Sequence, residues 1–243
     1  MYHGKVLYCA SATGLSLKEC EIDIDHPHIR SMHLWSADMG LAVEFDIALE
    51  STEAYDLLQA ALDRYCDLVA CKIAYDFAIA FPGFSYVGGG ADCGENDVIV
   101  FPPEPGPEPD PQPPVCRDGD GPDFSAYLLA GDARTYHYHR LYRSALGTTD
   151  PVSQHMFLYA ILQALAGEGT RQEVDAVISQ VEPSVPRYRS GGDGEETLYT
   201  RLRNEITRPS QGVLAETTGT EIKRCLGAFR LVVQEAIARF AGR

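Results

Sequence analysis

Between Pro102 and Pro122 the chain carries nine of its fifteen prolines, interleaved with acidic residues and glycines. Proline fixes its own φ and has no amide hydrogen to donate. Such a segment supports neither a helix nor a sheet ladder and acts as an extended spacer. A chain of 243 residues interrupted in this way divides into an acidic α+β domain over 1–101, a linker over 102–123 and a helical domain over 124–243. The two sides differ in charge: residues 1–115 hold 5 Lys and Arg against 19 Asp and Glu, while residues 116–243 hold 15 against 16. The overall charge of −15 disfavours non-specific attraction to nucleic acid. Five arginines of the second half (Arg187, Arg189, Arg201, Arg203 and Arg208) nevertheless fall within 22 residues, enough for a local cationic patch.

No run reaches eighteen apolar residues, and Met1 to Lys5 leads into a strand pattern instead of a signal peptide, so a cytoplasmic protein with no membrane partner is expected. The seven cysteines are scattered without a Cys-x-x-Cys pair, which points to reduced, mostly buried thiols.

In the first half, Val6 to Ala12, Leu17 to Asp25, Ile29 to Trp35 and Leu41 to Leu49 read as strands. Ile22 to Asp25 and Val43 to Ile47 alternate apolar and acidic residues with the period of a half-exposed sheet. Asp38 to Gly40 supplies a turn. A cap at Ser51 or Thr52 then opens a long helix with apolar residues at Tyr55, Leu58, Leu62, Tyr65, Val69 and Ile73. Gly88-Gly89-Gly90 lacks the lysine and helix of a phosphate loop and reads as a flexible turn before a last strand, Val98 to Phe101.

The second half turns helical. Stripes run through Tyr136 to Leu146, Met156 to Leu165, Val174 to Val181, Leu198 to Ile206 and Ile222 to Phe240, with starts at Asp150-Pro151, Thr170 with Glu173, and Thr218 with Glu221. Pro183 to Gly194 reads as a loop. The fold class is therefore α+β: an N-terminal antiparallel sheet with one long helix, then an all-α five-helix bundle.

The fourth of these helices holds the most informative string. Leu198, Leu202 and Ile206 form one apolar stripe, and Arg201, Asn204, Glu205 and Arg208 lie on another side. Arg203 stands at the border, Glu195 and Glu196 suit the positive end, and Pro209 closes the helix. Arg201, Arg203, Asn204 and Arg208 are the candidate binding residues, since a guanidinium matches phosphate bidentately. The same residues also admit an internal role, in which Arg201 pairs with Glu205 and Arg203 stacks on Tyr199. His137 and His139 point about 200° apart on a helix, and His26 with His28 lack a further ligand pair, so no metal and no cofactor are expected. The alternation of Asp23 and Asp25 with Ile22 and Ile24 is explained by solvent exposure.

The five-helix order with Leu202-Arg203-Asn204-Glu205 on the fourth helix resembles the HEPN family, over about residues 130–241. That resemblance implies a helical bundle that pairs with a second copy. It also implies, in active members, metal-free RNA cleavage through an arginine (Arg203), a following polar residue (Asn204) and a histidine four to six residues beyond. The histidine position falls on Arg208, and no histidine follows His155. Attack by a 2′-hydroxyl needs a group that exchanges a proton near neutral pH, which imidazole does and guanidinium does not. A non-catalytic binding or assembly protein, dimeric and contacting RNA or a protein partner, is the first expectation. A ribonuclease in which His139 or Tyr199 substitutes is the alternative. Asp150-Pro151-Val152, Tyr199 to Glu205 and the sheet-plus-helix first half also resemble the methylamine utilization protein MauJ family, which implies an accessory role in that pathway.

Overall fold

A computed structural model describes residues 1–12, 14–37, 40–50, 55–92, 98–101, 123–130, 132–167, 169–189, 194–207 and 215–242. Two compact units emerge, Met1–Phe77 with Phe81–Gly131, and Ala78–Ala80 with Asp132–Arg243. The expected cap at Ser51 or Thr52, the Asp38–Met39 part of the turn, almost all of the proline-rich segment, and Arg208 with Pro209 lie outside the described residues.

The first unit is built on an antiparallel sheet: β1 (Tyr2–Ser11), β2 (Cys20–His26), β3 (Ile29–Ala37), β4 (Gly40–Leu49), β5 (Ser85–Asp92) and β6 (Val98–Phe101), in the order β2-β3-β4-β1-β5-β6. The period of two decides which face is buried. Val6, Phe45, Met32 and Ile22 stand in one row, and Tyr8, Val43 and Leu34 in the next. All seven are buried, against helix α1 (Tyr55–Phe77), whose Leu58, Leu62, Val69 and Ile73 are buried too. Tyr8 donates to Asp63 of that helix at 2.8 Å, and Phe45 meets Tyr65 with ring centroids 6.4 Å apart. Helix α1 stops at Phe77, where Ala78 takes a left-handed φ of 51° that ends the hydrogen-bond ladder.

Gly88-Gly89-Gly90 is not a turn. It forms the middle of β5, paired to Leu7, Val6 and Lys5. A Cβ on Gly89 would lie 2.6 Å from the Lys5 carbonyl oxygen, and one on Gly4 would lie 2.0 Å from that of Gly90. Glycine is needed here because two backbones approach too closely for any side chain.

The five expected helices are a partial description. Among the described residues six helices follow residue 123: α2 (Phe124–Ala130), α3 (Ala133–Leu146), α4 (Pro151–Leu165), α5 (Arg171–Val181), α6 (Leu198–Thr207) and α7 (Ala215–Phe240). The short α2 groups with the first unit, where Tyr127 lies under the Lys72 ammonium at 5.5 Å, and the other five belong to the second. The second unit also holds a two-stranded ribbon, β7 (Arg187–Arg189) paired with β8 (Glu195–Thr197), in a stretch read as loop and helix start. Its core is Tyr142, Leu158, Leu162, Val174, Ile178, Leu202, Phe229 and Val233, all buried. Among the described cysteines Cys66 and Cys71 are buried and Cys9, Cys20 and Cys225 half-buried, while Cys93 and Cys116 lie outside the described residues.

Replacing Gly89 with valine should lower the unfolding free energy of the first unit by roughly 2 kcal/mol or more, read from Trp35 fluorescence in urea. Gly227→Ala, where a Cβ meets nothing within 4 Å, should hold or raise stability. Equal midpoints for Gly89→Val and the parent would contradict the close β1–β5 approach.

Candidate functional site

Helix α6 begins at Leu198 because Thr197 caps it: the Thr197 hydroxyl accepts from the Thr200 amide at 3.4 Å. Beneath this cap lies Asp175 of α5, only 6% exposed. Its Oδ1 accepts from the Thr197 amide at 3.1 Å and from the hydroxyls of Thr197 and Thr200, each at 2.6 Å. A carboxylate at a helix N-terminus complements the positive end of the dipole, and these three donors replace its lost hydration. With the Thr200 proton committed to Asp175, the Tyr159 hydroxyl donates to Thr200 at 3.2 Å. Asp175 Oδ2 is buried and has no partner among the described residues.

A second polar chain runs along the outer side. Arg171 reaches Glu196 Oε2 at 3.1 Å, and the Asn204 amide donates to the same oxygen at 2.7 Å. Asn204 Oδ1 in turn accepts from Arg203 at 3.2 Å. Glu195 and Glu196 are therefore strand residues, not helix residues. Glu196 is buried because it bridges α5, β8 and α6.

The three described arginine-helix candidates do different things. Arg201 is held by Glu205 at 3.2 Å and Glu221 at 2.5 Å, with its guanidinium 4.2 Å from the Tyr188 ring centroid. Glu221 also lines an open concavity of about 480 Å³ along the start of α7, with Glu216, Thr217, Thr220 and Arg224. Asn204 is fixed at both ends of its amide. Arg203 is half-buried and lies over the Tyr159 ring at 5.7 Å, not over Tyr199. Among the described residues it has no carboxylate in ion-pair range, and its buried Nε has no partner. Arg208 lies outside the described residues.

Among the described residues, the proton-exchanging side chains that touch α6 from the core are sealed. His155 of α4 is fully buried and touches α6 through the Tyr199 carbonyl, 3.2 Å from Nε2. The carbonyl only accepts, so the proton sits on Nε2 and leaves Nδ1 buried without a partner. Burial lowers the His155 pKa to about 4, against a smaller upward pull from the Tyr199 carbonyl. Tyr199 is 2% exposed, stacks on Phe229 at 4.3 Å and 17°, and donates to Glu182 at 2.9 Å. Burial, then that carboxylate, raises its pKa far above the usual phenol value. Burial also raises the Tyr159 pKa, with Arg203 and Arg171 pulling back by favouring the phenolate. His139 is buried within α3, while His137 is exposed.

Among the described residues no group of three or more His, Cys, Asp or Glu could hold a metal ion, and no helix is long and apolar enough to cross a membrane. No protein-family model, curated protein or solved structure matches the chain. Reading the sequence missed Asp175, Glu196, Arg171 and Tyr159. One signal was present: Asp175 interrupts the apolar run Val174, Val177, Ile178, where an acid needs a buried donor set.

Asp175→Ala should destabilise the second unit by roughly 2–4 kcal/mol, since it strands the Thr197 amide and two hydroxyls; a change below about 0.5 kcal/mol by circular dichroism in urea would contradict this. His155 binds its proton more weakly folded than unfolded. Its contribution is thus complete above the unfolded value of 6.5 and is lost as pH falls towards about 4. The loss is on the order of 3 kcal/mol, and His155→Leu should flatten the acid side of the stability profile.

Proposed function

We propose that the chain is a non-catalytic binding or assembly protein, in which an acidic α+β unit is joined to a HEPN-like helical unit that pairs with a second copy and holds an anionic group of a partner. The observation that carries this reading is Arg203. Arg171 and Arg201 each have a carboxylate, but Arg203 is half-buried with no carboxylate among the described residues. A partly desolvated cation without a counter-charge gains from an incoming anion, an RNA phosphate or a protein carboxylate. Asn204 steadies the guanidinium from one side and the Tyr159 ring from another.

The state of the histidines and of Tyr199 in this unit supports holding over cutting. His155 is neutral and enclosed at physiological pH, His139 is buried and Tyr199 keeps its proton. General acid or base catalysis at Arg203 therefore lacks a group poised near neutrality.

The purified chain should leave a labelled single-stranded RNA intact and run as a dimer by light scattering. Binding of that RNA, or of an acidic peptide, should weaken about tenfold in Arg203→Ala, the loss of one charge-assisted contact. Cleavage by the parent that vanishes in Arg203→Ala would establish the ribonuclease instead. Unchanged binding by the variant of both probes, or a strict monomer, would overturn the reading.

A further inference from the structure

The face of the first unit's sheet turned away from α1 has its own chemistry, which does not depend on the reading of the helical unit. Residues Leu7, Glu44 and His33 stand in register there, as do Cys9, Ala42 and Trp35. Strand β5 adds Gly88 and Gly90 beside Leu7 and Lys5, and a glycine leaves the sheet surface bare. Helix α1 packs on the other face, and α2 packs on α1. The floor of this face is thus low and apolar: half-buried Leu7, Cys9 and Trp35, with Ala42 and the two glycines between them.

Trp35 is held flat. Its ring stacks on His33 at 4.8 Å with 27° between planes, and His33 Nε2 lies 2.7 Å from Glu19. Around this floor stand the carboxylates of Glu21, Asp23, Glu44, Asp46 and Asp92, five against two cations: Lys5, which Glu44 already engages at 2.5 Å, and the exposed Arg30 at the β3 bulge. Glu21, Asp23 and Asp92 are exposed. An acidic rim of this kind repels a second copy of itself, a nucleic acid backbone and an anionic membrane surface.

From the apolar floor and the sign of its rim, we propose that this face docks a basic amphipathic segment of a partner protein. Large apolar side chains of that segment lie over Leu7, Cys9 and Trp35, and its lysines or arginines reach Glu21, Asp23, Glu44 and Asp46. Complementary charge sets the partner and its orientation, and the apolar lane supplies the burial.

Trp35 is the single tryptophan of the chain, so intrinsic emission reports on this face. The probe is a synthetic amphipathic peptide with leucines on one helical side and lysines on the other. Its glutamate counterpart, a single-stranded RNA and phosphatidylserine vesicles serve as competitors of other chemistry. The lysine peptide should shift Trp35 emission, and the other three should not. Affinity should fall about tenfold in Asp23→Lys/Asp46→Lys and about threefold in the neutral Asp23→Asn/Asp46→Asn pair. An equal charge change placed in the second unit, Glu216→Lys/Glu235→Lys, should leave it within about twofold. An unmoved Trp35 signal, an equal response to the glutamate peptide, RNA or vesicles, or equal weakening by the two lysine pairs would overturn the proposal.

Discussion

A carboxylate shut inside the helical unit determines how its arginine helix is placed. Asp175 would be expensive to bury alone, and it is accommodated because one backbone amide and two hydroxyls from the start of α6 converge on a single oxygen. The same contacts fix where β8 ends and α6 begins, and therefore which side of α6 meets the core. With that start fixed, Leu202 falls into the interior, Arg201 reaches Glu205 and Glu221, and Arg203 is left over the Tyr159 ring. Moving the helix start by one residue would rotate every one of these side chains by about 100°.

Charge is distributed unequally within this small region. Arg171, Glu196 and Asn204 form a chain in which each polar group answers another, and Arg201 sits between two carboxylates. Arg203 is the exception, a cation answered by an amide oxygen and a ring face. The histidine that touches the helix is desolvated to the point of staying neutral. On the proposed reading, binding and proton transfer separate here: Arg203 is left open to an anion, and the His155 ring is enclosed.

Much of the first unit was legible because its strands alternate cleanly. Ile22 and Ile24, or Val43, Phe45 and Ile47, mark a buried face by their spacing alone. Strand β5 was not, because Gly88 to Gly90 signal a turn locally, and the need for bare backbone comes from β1, more than eighty residues earlier. Strands of three residues such as β7 and β8 carry no periodic signal, so Glu195 and Glu196 read as helix residues. In the site, the Arg201–Glu205 pair follows from four-residue spacing. The stacking partner of Arg203 was not legible: Tyr199 is taken by Phe229, and Tyr159 arrives from another helix. Asp175 needed the tertiary structure for the same reason.

The measurement closest to the centre of this account is the protonation of one ring. Nitrogen-detected NMR of the His155 imidazole between about pH 4 and pH 8 reads tautomer and titration together. The neutral form with its proton on Nε2 should persist throughout the physiological range, with a midpoint near 4. A midpoint between about 6 and 7, moving when Arg203 is replaced by alanine, would make His155 a working proton-transfer group coupled to that arginine and contradict the proposed holding role.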